Sequence, residues 1–130
     1  MTEQIHSQSV WYQRVAKDLM AGEMVSGAFQ ATLAGDDAGL LAITNRRLIF
    51  YGSREVHIPY RQVAEVVYEH GYASADVFAL PNELIVKTAA RTYRLFLLGP
   101  DSAAQEQAAR RARDIITTCR AQCLLLERMM

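Results

Sequence analysis

Cys119 and Cys123 are the only cysteines in the chain, and their i, i+4 spacing puts both thiols on one face of a helix. Two thiolates so placed are half of a tetrahedral metal site, and a metal would need two more ligands. The histidines, His6, His57 and His70, fall in three different segments, and none repeats at a ligand spacing. No metal site is expected, and the two cysteines are read as small apolar packing groups, the usual behaviour of a free thiol. Asp36 and Asp37 resemble the start of a calcium loop, but the further oxygen ligands of such a loop are missing. Glu65 and Glu69 are paired carboxylates with no sequence-evident pocket, and His57 and His70 have no nucleophile or carboxylate pattern around them. The chain also lacks a glycine-rich phosphate loop, a Gly-x-Ser-x-Gly elbow and a His-Glu-x-x-His helix. No catalytic residue and no cofactor are assigned, and the chain is read as a non-enzyme.

Two other groups of residues have the chemistry of binding. Arg46, Arg47, Arg54 and Arg61 lie close in sequence, and gathered at one rim they would hold an anion or an acidic lipid headgroup. Asp36, Asp37 and Glu55 are near enough to cancel much of that field, so ordinary solubilising charge is the alternative. Lys plus Arg and Asp plus Glu both number 14, which removes any global pull on nucleic acid. The second group is Leu124, Leu125, Leu126, Met129 and Met130. Three consecutive leucines on a helix step through about 200°, more than one core-facing stripe can cover, so at least one must point away from the domain. This end is expected to pack against a second copy, most simply as a two-fold dimer, against a partner helix, or against the N-terminal helix around Trp11. A frayed tail is the alternative.

Apolar periodicity places these residues on elements. Trp11, Val15 and Leu19 recur every four positions, predicting an amphipathic helix over about 7–21, with Ser7 or Ser9 at its start and Gly22 at its end. Period-two alternation then runs from Met24 to Leu33, and again through Gly39–Thr44 and Arg47–Tyr51 with a sharp reversal at Asn45. Further strands are predicted over 55–60, 63–70, 83–88 and 91–98. Pro59 should sit at a strand end or edge. The stretch 71–82 reads as an irregular, unusually apolar loop that either covers the core or binds something. Ser102 and Gln105 match a capping box, opening a long helix whose inner stripe is Ala104, Ala108, Ala112, Ile115, Ile116, Cys119 and Cys123.

The Gly39–Tyr60 stretch, with its Thr-Asn-Arg-Arg-Leu turn, its Phe50-Tyr51-Gly52 strand end and its Ile58-Pro59-Tyr60, resembles the bacterial pleckstrin-homology-like (PH-like) domains, particularly the YokE-like group. The resemblance covers about 23–128. It implies an α+β fold that is mainly β: a partly open barrel of two antiparallel sheets, about seven strands, capped by a long C-terminal helix, with an extra N-terminal helix. Domains of this fold bind lipids, peptides or each other, so activity has to be argued from sites. In their lipid-binding members the first inter-strand loop commonly supplies bases, whereas here it supplies Asp36 and Asp37.

At 130 residues one domain is expected, with a helix over 1–22, the barrel over 23–98 and the final helix over 99–130. No apolar run approaches the roughly 18 residues of a membrane span, and the start carries no leader pattern, so a cytoplasmic location is expected. The reading is a non-catalytic interaction module that associates with itself or a protein partner. The alternative is a lipid or anion sensor in peripheral contact with a membrane. No small-molecule ligand is identified from the sequence.

Overall fold

The computed structural model describes residues 11, 13–34, 38–74, 77–80 and 82–129, with backbone only over 72–80. At its centre, β2 (Ala38–Thr44) and β3 (Arg47–Tyr51) pair from Ile43 opposite Leu48 to Leu40 opposite Tyr51, turning at Asn45 and Arg46. Alternation sends Leu41, Ile43, Leu48 and Phe50 to one face and Leu40, Ala42, Ile49 and Tyr51 to the other. Both faces are buried, in two separate apolar clusters. The hairpin is therefore the middle layer of a sandwich, covered on each side. Gly39 marks where β2 and β3 crowd: a Cβ there would stand 2.0 Å from the Tyr51 carbonyl oxygen, so only glycine fits.

β1 (Val25–Leu33) flanks β2, and β4 (Glu55–Pro59) flanks β3 with Pro59 at the end of the outermost strand, where a missing N–H costs no ladder bond. The ladder continues from β1 through β9 (Thr92–Leu97) and β8 (Glu83–Thr88) to β5 (Val63–Glu69), giving the order β4-β3-β2-β1-β9-β8-β5. A short 3-10 turn over Tyr60–Gln62 carries the chain from β4 to β5. The seven antiparallel strands and the open seam were expected. The two sheets are instead one continuous ladder, because β1 pairs with β2 along one edge and with β9 along the other, through Ala31–Leu33. The stretch read as an irregular loop is a hairpin of β6 (Tyr72–Ser74) and β7 (Val77–Leu80) forming its own two-stranded sheet. Its register is broken between Tyr72 and Ser74, which obscures the period-two signal. The side chains that would cover the core or bind a ligand there lie outside the described residues.

α2 (Ser102–Met129) crosses the inner face against β5, β1, β9, β8 and β2. Ala109, Ala112, Ile116 and Cys119 are buried, with Ala108, Ile115 and Cys123 half-buried beside them. The cap is Asp101, not Ser102. Its Oδ1 accepts the N–H of Ala104 at 2.8 Å and its carbonyl that of Gln105 at 3.0 Å, so the acid one residue earlier satisfies the orphan donors. On the outer face lies α1, helical at Trp11 and over 13–18. Val15 is buried there against Leu40, Ala42, Ile49 and Tyr51, with Trp11 and Leu19 half-buried. α1 ends at Asp18, short of the predicted end at 21, so Gly22 does not close the helix; at φ 78° it turns the connecting segment towards β1. Ser7 and Ser9 lie outside the described residues.

Candidate functional site

Glu23 and Arg47 meet where the α1–β1 connection crosses the β2–β3 hairpin. The Glu23 side chain is 0% exposed. Arg47 Nε donates to its Oε2 and Nη2 to its Oε1, both at 3.0 Å, a two-pronged geometry that makes a buried ion pair tolerable. Thr44 Oγ1 donates to Glu23 Oε2 at 2.7 Å and the Met20 N–H to Oε1 at 3.0 Å. Burial by itself would raise the Glu23 carboxyl. The hydrogen bonds from Arg47, Met20 and Thr44, with the Arg47 charge, outweigh it and hold the group below the usual glutamate range. The remaining Arg47 donors go to the Asp18 carbonyl (Nη2, 2.6 Å) and to His57 Nδ1 (Nη1, 3.0 Å). Asn45 ties the same crossing, accepting the Met24 N–H at 2.8 Å and donating to the Gly22 carbonyl at 3.1 Å.

Beside this crossing, where the end of α2 passes the β2–β3 turn and the end of β4, is a cleft of ≈ 460 Å³. Arg46, Arg47 and Arg61 line it together with Met20, His57 and Leu126. A second cleft, of ≈ 210 Å³, lies at the other end of β3, where Arg54 stands with Arg91 and Arg94. The four arginines therefore do not share a rim: three line one cleft and Arg54 the other. Arg47 is committed to Glu23, whereas Arg61 and Arg54 form no ion pair among the described residues. In the smaller cleft Arg94 Nη1 binds Glu83 Oε2 at 2.7 Å, and the Arg91 guanidinium lies 5.9 Å from the Tyr93 ring centroid.

The C-terminal apolar group is exposed. Leu125 is 58%, Leu126 61% and Met129 76% accessible, while Leu124 is half-buried. Met130 lies outside the described residues. Trp11 is not part of this surface, since it belongs to the outer cluster, which holds no residue of α2.

A family model described as Bacterial PH domain matches residues 19–118. The chain belongs to that family. Among solved structures, this PH domain is similar to the C-terminal domain of an unknown protein from Leishmania infantum, with a TM-score of 0.55 and 20% identity over 90% of this chain and 99% of that one. It is also similar to a Vps36 N-terminal PH domain, with a TM-score of 0.50 and 19% identity over 77% and 86% of the two chains. At these identities the likeness shows the fold alone. Comparison with curated proteins gave no match.

Family and fold mark this PH domain as an interaction module of a generally non-enzymatic class. No described helix is long and apolar enough to cross a membrane. The structure does assemble one triad that spacing did not reveal: Asp18, Glu55 and His57 place their ligand atoms within 4.8 Å of one another. An arginine can only donate, so His57 Nδ1 accepts from Arg47 and the ring proton sits on Nε2, 3.6 Å from Glu55 Oε2. Asp18 Oδ2 accepts from Tyr51 Oη at 2.9 Å, and Arg14 lies 3.6 Å from Glu55. The donors of the triad thus serve neighbouring cations and hydroxyls, and the cluster is a polar network joining α1 to β4. Sequence reading also missed Glu23, Arg91 and Arg94. Arg91 was signalled by its place in the turn after β8, whereas nothing local marks Glu23 or Arg94, which lies within β9 opposite Ile85.

Proposed function

We propose that this PH domain is a non-catalytic protein-interaction module whose partner surface is the outer side of the last turns of α2, and that its simplest partner is a second copy. The observation that supports it most is the exposure of Leu125, Leu126 and Met129 on consecutive turns of an otherwise well-packed helix. Fully burying a leucine or methionine is worth about 1.5–3 kcal/mol, and contiguous apolar exposure of this kind marks association surfaces. We take 1–130 as one domain, place it within the YokE-like group on its Gly39–Tyr60 stretch, and assign it to the cytoplasm, where unpaired thiols such as Cys119 and Cys123 persist. Sedimentation of the intact chain beside one ending at Gln122 and a Leu125→Glu, Met129→Glu variant tests the association. The intact chain should be larger than both variants. If all three run as folded monomers at high micromolar concentration, the reading fails.

A second reading, anion sensing at a membrane surface, is favoured by the convergence of Arg54, Arg91 and Arg94 on the smaller cleft. Arg94 is paired with Glu83, so the guanidiniums of Arg54, in the β3–β4 turn, and Arg91, just before β9, are the ones suited to a phosphate-bearing headgroup. Flotation with anionic vesicles should carry the wild type upward and leave an Arg54→Ala, Arg91→Ala variant behind. Wild-type protein that stays in the unbound fraction rules this reading out.

A further inference from the structure

The larger cleft differs from a merely charged surface in its mixed lining. Met20 (50% exposed), Pro59 and Leu126 give it apolar lining, and Arg46 and Arg61 give it positive charge. Glu23 neutralises Arg47, so two arginine charges remain against one carboxylate in the lining, that of Glu127. Arg61 forms no ion pair among the described residues, and the Arg46 guanidinium makes one long hydrogen bond, from Nη2 to the Ala21 carbonyl at 3.4 Å. The volume, ≈ 460 Å³, lies within the range of about 300–1,000 Å³ typical of small-molecule sites.

We propose that this cleft binds a single-chain anionic amphiphile of the fatty-carboxylate class, its head on Arg46 and Arg61 and its chain along Met20, Pro59 and Leu126. Charge complementarity sets the sign of the head, and the apolar wall favours a chain over a bare anion, which would leave that wall wet. Met20, unbranched and adaptable, lets the lining of the cleft accept chains of different shape. The site lies at the opposite end of β3 from Arg54 and does not depend on self-association, though both would use Leu126.

Calorimetric titration of the full chain with dodecanoate below its micelle concentration, beside dodecyltrimethylammonium of equal chain length, tests the assignment. Dodecanoate should bind saturably at one site, and the cation should not. Arg61→Glu and Leu126→Asp should each weaken binding at least about tenfold, while Lys87→Glu, on the exposed side of β8, leaves it unchanged. Circular dichroism confirms that each variant is folded. Equal binding of both amphiphiles, an affinity unmoved by Arg61→Glu, or uptake by phosphatidylglycerol vesicles without monomer binding would each overturn the proposal. Sedimentation of the same samples keeps the two readings apart: a monomer that binds dodecanoate removes self-association and sustains this site, and a dimer that ignores dodecanoate does the reverse.

Discussion

The two ends of β3 carry the same residue type in opposite circumstances. At the start of the strand Arg47 is 16% exposed at its side chain and committed to a fully buried carboxylate. Beyond its end, Arg54 is exposed and faces a small cleft with two other arginines. An arginine in the first setting holds the fold together, because removing its partner strands a charge out of water. In the second it is available to a ligand. Residue type alone does not separate these roles; position along the ladder does.

The sharpest way to break this comparison is to neutralise Glu23. Glu23→Gln should destabilise the domain by roughly 3–5 kcal/mol, because Arg47 stays largely buried without its counter-charge; urea unfolding followed by tryptophan fluorescence reads this. A loss below about 1 kcal/mol would place Arg47 with the surface arginines. The same pair gives a pH signature. The Glu23 carboxyl is held below its unfolded value, so its contribution is present above about 4.3, the ordinary glutamate pKa, and is lost as pH falls through the lower folded value. The stability gap between wild type and Glu23→Gln should therefore shrink on acidification, and a gap constant from pH 7 to pH 3 contradicts the assignment. A smaller effect is expected from Tyr51→Phe, which removes the 2.9 Å bond to Asp18 and loosens α1. About 0.5–1.5 kcal/mol is the ordinary worth of such a bond, measured by the same unfolding curves. Smallest of all is Arg54→Ala, expected within about 0.5 kcal/mol of wild type. A thermal midpoint lowered as far as that of Glu23→Gln would erase the distinction between the two ends.

The β2–β3 hairpin was legible because both its faces are buried and each strand alternates cleanly around a two-residue turn. The stripe of α2 was legible from Ala108 to Cys123 for the same kind of reason, a fixed period repeated over several turns, although Ala109 belongs to it and Ala104 lies outside the core; the period of Trp11, Val15 and Leu19 likewise marked the face of α1 that meets the sheet. The Glu23–Arg47 pair was hidden, since the two are 24 residues apart and only the sheet register brings the α1–β1 connection over the turn. The scattering of the arginines had a readable cause that was overlooked. β3 puts four residue steps between Arg47 and Tyr51, about 13 Å at 3.3 Å per step, so residues flanking that strand cannot share a rim. The 71–82 hairpin was lost because an irregular register carries no period to detect.

The seam between β4 and β5 leaves the sheet with two free edges, and an unprotected edge is a template onto which a stray strand can add. Here one edge ends in Pro59, and the other is interrupted by a bulge between Val63 and Glu65, both of which deny an incoming strand a regular run of partners. Glu55 and His57 on β4, with Glu65 and Glu69 on β5, add exposed polar side chains along those edges. Edge-to-edge growth of this seven-stranded sheet is thus disfavoured on both sides, so copies meeting through the apolar end of α2 would not compete with strand addition.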